Sequence, residues 1–284
     1  MVALTAPPST LSRPRRLAAD PLLLISALVA TLLVAIAAAG SWLAPYDPAT
    51  TDILSAGQGS SSAHLLGTDS IGRDVLSRAL VGARLSFTGP ALIVLGSALI
   101  GTAIAIAGAW YGGWVDKVLN RITTVTFAIP GVLVAVVAVA VFGSGFWAPV
   151  LALTLVYIPY IARVVRSVAV RQRALPYIEA LELAGVPAWR ICSVHILRNV
   201  APIVLAQATI GFGSALVEFG AISFLGLGIQ APDAEWGLMV AEGRSEVLDG
   251  AVQQSLTAGT LIVVTVVAFN ILGERLTARF GDAR

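Results

Sequence analysis

The chain has 284 residues, of which 57% are hydrophobic and only 12% charged, with a mean hydropathy of +0.87. A soluble domain carries about 25% charged residues because its surface must face water, so this composition excludes an ordinary soluble globule and fits lipid as solvent. The net charge of +2 and the absence of a basic stripe give no sign of a nucleic-acid surface, and the single Cys192 excludes an internal disulfide.

Residues 1–20 read as a basic tail carrying Arg13, Arg15 and Arg16. The apolar run 21–44 follows, with Ala37 and Ala39 in the small-residue spacing of a signal cleavage site. Its length exceeds the apolar region of about 7–15 residues in a signal peptide, which predicts a retained first helix. Residues 45–85 read as an extracytoplasmic loop, flexible at Gly57–Ser62, with Asp69 and Asp74 placed to pair with Arg73, Arg78 or Arg84. Five more spans are predicted over 86–111, 122–142, 146–162, 200–228 and 251–273, each near the length of about 20 residues that a bilayer core requires. The fourth is short. Together they make 86–284 a five-helix core that includes a loop at 163–198. The expected fold is an all-α integral membrane protein with about six transmembrane helices.

Smaller features follow the same logic. Ser97 and Gly101, and Gly211 and Ala215, stand in a spacing that lets helix backbones approach. Pro130 and Pro159 are expected to bend the third and fourth spans, since each removes an intrahelical bond. Trp42, Tyr46, Trp110 and Tyr111 are expected at the membrane interfaces.

Orientation comes from the basic residues of the loops, which stay on the cytoplasmic side. The segment 163–198 carries Arg163, Arg166, Arg171, Arg173, Arg190 and Arg198 against only Glu179 and Glu182. The segment 229–250 reverses the balance, with Arg244 against Asp233, Glu235, Glu242, Glu246 and Asp249. Six spans then put both termini and 163–198 in the cytoplasm.

The most informative stretch is 175–199. Pro176 suits the first turn of a helix, where its missing N–H costs nothing. Gly185 suits a left-handed helix end, and Pro187 blocks continuation while allowing a second start. Two short helices are predicted to meet at Gly185, with Glu179 and Glu182 in first turns where the helix dipole favours acids. Glu179-Ala180, Gly185 and Ile196-Leu197 resemble the E-A-A, glycine, I-x-L-P loop of permeases from binding-protein-dependent ABC importers. Leu181 and Arg198 depart from that pattern. Residues 67–78 (GTDSIGRDVLSR) and 218–237 (EFGAISFLGLGIQAPDAEWG), with Trp114, Asp116 and Arg121, are similar to the C-type permease of the dipeptide, oligopeptide and nickel group.

The resemblance implies a translocating subunit in which Glu179, Ala180, Glu182, Gly185 and the neighbouring His195 couple to an ATPase. It implies as partners a B-type permease, two ATP-binding-cassette subunits, an extracytoplasmic substrate-binding protein and a peptide substrate. The chain has no G-x-x-x-x-G-K-[ST] stretch, and so lacks a P-loop to cradle phosphate. ATP and magnesium are therefore expected in partner subunits, with no cofactor, metal site or catalytic residue here.

Glu218 is the one charged residue well inside a predicted span, and an intramembrane carboxylate is costly enough to suggest function. Three readings stand open: it lines the pathway, it pairs with Arg73 or Arg78 as an outer gate, or it is a structural group facing the partner permease. Asp69, Arg73 and Asp74 belong with the gate. His64 and His195 lie too far apart in this topology to share a metal. An ion-coupled secondary transporter would need several intramembrane ionisable groups, and an intramembrane peptidase a base beside a nucleophile. Neither pattern is present. Nickel, glutathione and haem remain as alternative cargoes of the same group.

Overall fold

The computed structural model describes residues 20–127, 129–248 and 250–281. The basic cluster Arg13, Arg15 and Arg16, and Asp249, lie outside the described residues. Helix α1 (Pro21–Leu43) is capped by the Asp20 carboxylate, which accepts the Leu22 N–H. Helix α2 (Val75–Tyr111) is capped by Asp74, which accepts from the Ser77 N–H. Next come α3 (Gly113–Phe127), α4 (Gly131–Phe142) and α5 (Trp147–Arg173). The short α6 (Pro176–Leu183) and α7 (Ala188–Arg190) lead through a π-helical turn (Ile191–Ile196) into α8 (Leu197–Phe224). The chain closes with α9 (Trp236–Glu242), α10 (Arg244–Leu248) and α11 (Gln253–Gly281).

Among the described residues, five stretches are long and apolar enough to cross a membrane, and α3 with α4 make a sixth if their 82° bend is counted as one broken span. Six spans are thus matched in number, but not in outline. The second span starts at Val75 rather than residue 86, because Arg78 is fully buried and paired and therefore tolerated within the helix. The fourth extends to Arg173, so Arg163, Arg166, Arg171 and Arg173 ride on α5 and the loop shrinks to 174–196. The fifth ends at Phe224, and α11 runs on to Gly281. The third span breaks between Phe127 and Gly131: Ile129 precedes a proline, which disfavours helical backbone, and Pro130 becomes the cap of α4. By contrast, α5 continues through Pro159.

Helices α2 and α5 form the centre, with α8 packed on both and α11 on α8. Gly101 shows why small residues stand at this crossing: a Cβ there would lie 2.9 Å from the Ile158 carbonyl oxygen on α5. Phe87, Phe212, Phe269 and Trp236 pack ring against ring where α2, α8, α9 and α11 meet. A second cluster, around Ile161, Val165, Ile178, Ile191 and Ile196, lies at the other end. Leu24, Leu28 and Leu32 of α1, Val137 and Val141 of α4, and Val263 and Val267 of α11 face outward, as lipid-facing side chains do. Asp20 and Arg275, 3.0 Å apart, tie the start of α1 to the end region of α11.

Candidate functional site

The turns divide between two ends of the bundle. One end carries residues 44–74, 143–146, 225–248 and 250–252; the other carries Gly112 and the elbow 174–196.

The elbow is built as its residues dictate. Pro176 opens α6. Gly185 takes φ +76°, and the Gly185 and Val186 N–H groups donate back to the carbonyls of Glu182 and Leu181. This is a Schellman closure, which requires a left-handed residue at the glycine. Pro187 then caps the next start. Ile178 is fully buried under α6 beside Val165, Ala169 and Val200, and such burial contributes about 1.5–3 kcal/mol. The Asn199 amide reaches the Gln172 carbonyl oxygen (3.0 Å) and the Tyr177 hydroxyl (2.9 Å), fixing the root of α6 to α5 and α8.

Glu179, Ala180, Glu182 and Gly185 all face outward, with Leu183 85% and Trp189 71% exposed beside them. The elbow is therefore a projection with an exposed tip. Glu179 sits in the first turn as expected, but Glu182 does not: α6 is only eight residues long, so Glu182 falls in its last turn. There the dipole disfavours an acid, and Arg173 offsets this at 2.7 Å. Arg173 also stacks 4.4 Å over the Trp110 ring. His195 is half-buried, with its ring 6.4 Å from that of Tyr177. Asp116 of α3 holds Arg166 of α5 in a two-pronged ion pair.

The opposite end is a locked cap. Asp69 is buried and accepts from the Arg73 backbone N–H (2.8 Å) and from Arg73 Nε (2.5 Å). Glu242 Oε2 accepts from Arg73 Nη2 (3.0 Å) and from Arg78 Nη2 (2.6 Å). Glu246 accepts the Ser70 N–H at 2.6 Å. The Ser86 hydroxyl donates to Glu235, which also caps α9 through the Gly237 and Leu238 N–H groups. Burial pushes the Glu235 carboxyl above the usual carboxylate range, against the pull of those hydrogen bonds. Trp236 Nε1 donates to the Ala79 carbonyl. Asp74 differs from the sequence expectation: it serves as a helix cap and holds His64 Nδ1 at 2.9 Å rather than an arginine.

Glu218 lies apart from both. The pairing with Arg73 or Arg78, one of the three readings left open, is not present, because those guanidinium groups are engaged by Asp69 and Glu242. Glu218 instead borders a recess of about 280 Å³ between α5 and α8, lined also by Tyr157, Tyr160, Gly211 and Ser214. Sequence reasoning missed Glu242, the acid on which both buried arginines converge. The excess of acids in 229–250, set against the three arginines of 45–85, was the available signal.

The profile of the "binding-protein-dependent transport system inner membrane component" family matches residues 97–282. The chain belongs to that family. A second profile, the N-terminal transmembrane domain of oligopeptide transport permease C, matches residues 14–59. The chain is 37% identical over 263 residues to a glutathione transport system permease of Pectobacterium atrosepticum, covering 92% of this chain and 87% of that one. It is 34% identical over 255 residues to a probable D,D-dipeptide transport system permease of Escherichia coli K12 (90% and 85% covered). It is 34% identical over 262 residues to a dipeptide transport system permease of Alkalihalophilus pseudofirmus (92% and 86% covered). This family member is a multi-pass transport permease of the bacterial cytoplasmic membrane, and membership implies work alongside other transporter subunits.

Proposed function

We propose that the chain is the C-type permease of an ATP-driven importer carrying di- or oligopeptides inward by alternating access. Its partners in this reading are a B-type permease, two ATPase subunits that bind ATP and magnesium, and an extracytoplasmic binding protein. The elbow end faces the cytoplasm, as do both termini, and the locked cap faces the binding protein. One observation carries the reading: a short helix, anchored from below by Ile178 and presenting Glu179, Ala180, Glu182 and Leu183 outward, suits a groove on another protein. Closure of the ATPases would push on α6, and its buried root passes the displacement to α5 and α8. His195 lies beside that root and supports it. Asp69, Arg73 and Asp74 hold the cap rigid while the helices below them rock.

Two relatives at 34% identity are named for dipeptides and one at 37% for glutathione, which supports a short peptide cargo, with glutathione the alternative that the relatives favour over nickel or haem. The test reconstitutes the complex and measures ATP turnover and peptide uptake together. Gly185→Val and Glu179→Arg should leave the subunit inserted but break the link between the two rates. Wild-type uptake in both variants would dismiss the coupling role.

A further inference from the structure

On helix α8, Gln207, Gly211, Ser214 and Glu218 recur at the intervals of a single helical face. Gln207, Ser214 and Glu218 are the polar members of this stripe and Gly211 leaves room between them; Gly211, Ser214 and Glu218 line, with Tyr157 and Tyr160 of α5, the recess of about 280 Å³. The Tyr160 hydroxyl donates to Gln207 Oε1 at 2.7 Å. Tyr157 lies within reach of both Glu218 and Ser214. Glu218 is six residues from the cap end of α8, a depth of about 9 Å at about 1.5 Å per residue. The stripe therefore descends from the outer third of the span towards its middle.

The Tyr157 hydroxyl lies close enough to the Glu218 carboxyl to interact with it, while Glu218 Oε2 is buried and accepts no hydrogen bond among the described residues. It sits against the start of α4, where a Cβ on Gly131 would come within 3.4 Å of it. The half-buried Glu218 as a whole borders the recess, and a carboxylate in a membrane-embedded wall favours a cation beside it. Tyr157 beside it and Tyr160 further down the recess add aromatic groups of the kind that attract an ammonium-type cation.

We propose that this recess is a cation subsite of the translocation pathway, in which Glu218, Tyr157 and Ser214 receive the ammonium group of a passing peptide and hand it down towards Tyr160 and Gln207. The inference rests on the peptide-importer reading above and deepens it: the cargo must carry a free, protonated amine. An arginine or lysine of the second permease is the competing occupant, and the test separates the two.

The experiment uses the assembled complex with Cys192→Ser and Ser214→Cys, leaving one reactive thiol in the recess. Alkylation rates are compared for two methanethiosulfonates of similar size, one bearing trimethylammonium and the other sulfonate. The cationic reagent should react about tenfold faster or more beyond its ratio on a free thiol, because a fixed carboxylate concentrates cations in a narrow cleft. Glu218→Gln should abolish the preference and Glu218→Asp should retain most of it. Equal corrected rates, or a preference that Glu218→Gln leaves intact, would overturn the subsite. So would failure of both reagents, since that places the recess against the second permease. Gly211→Cys serves if Ser214→Cys does not assemble. Labelled-dipeptide uptake by the parent complex distinguishes the failures: uptake without preference removes the subsite alone, and preference without uptake removes the peptide reading beneath it.

Discussion

The two ends of this bundle are held by opposite means. At the cap, Asp69, Arg73 and Arg78 are each no more than 5% exposed, and they converge with Glu242 on one another across more than 160 residues of sequence. At the elbow, the ionic contact of α6 is a surface pair, Arg173–Glu182, while its anchorage is the buried apolar cluster around Ile178 with the neutral hydrogen bonds of Asn199 to Gln172 and Tyr177. Buried charges resist separation because each would be stranded without water. A surface helix on a greasy root can shift as a unit without exposing any. The cap is thus the end built to stay, and in the proposed reading the elbow is the end that moves, against the ATPase.

The largest effect should come from breaking the cap. Arg78→Ala removes the 2.6 Å partner of Glu242 and leaves Arg73 alone to hold both Glu242 and Asp69; losing one member of a buried ionic network costs up to about 3–5 kcal/mol. Thermal unfolding in detergent should show a strongly lowered midpoint. A change within error would mean that water already reaches this network. Gly101→Val comes next, since its side chain would meet the Ile158 carbonyl and force α2 from α5; overpacking of this kind costs about 1–3 kcal/mol, and the same melt reads it.

The elbow should answer differently. Gly185→Val places a branched residue at φ +76°, costing about 1–2 kcal/mol locally, yet its main readout is lost coupling between ATP turnover and uptake. Glu182→Ala should be the mildest, because an exposed ion pair contributes about 0–1 kcal/mol. Its melt should overlay that of the parent. If Glu182→Ala destabilised as much as Arg78→Ala, the contrast between the two ends would be false.

Much of this was legible in the sequence. Pro176, Gly185 and Pro187 specify the first short helix and the turn through backbone chemistry, but the expected second short helix is the first turn of a long one, which runs from Ala188 through the π-helical turn to Phe224. What misled was charge. Arg78 and the arginines 163–173 marked span ends on a hydropathy reading, but each sits on a helix that continues past the apolar window. Partners decide whether a helix can carry a charge, and Glu242 and Asp116 lie far from them in sequence. The same holds for Glu218. Its depth in the span was readable, whereas the tyrosines of α5 that make it a recess emerge only from packing. The break at Pro130 was foreseen as a bend, but not its size of 82°.

The central claim is that α6 docks on a separate nucleotide-hydrolysing protein. A photo-crosslinking residue in place of the exposed Leu183, activated in membranes that contain the whole transporter, tests it most directly. The account predicts an adduct with an ATPase subunit, strengthened or weakened by nucleotide. An adduct with the extracytoplasmic binding protein, or a tip that reacts only with lipid and water, would contradict it.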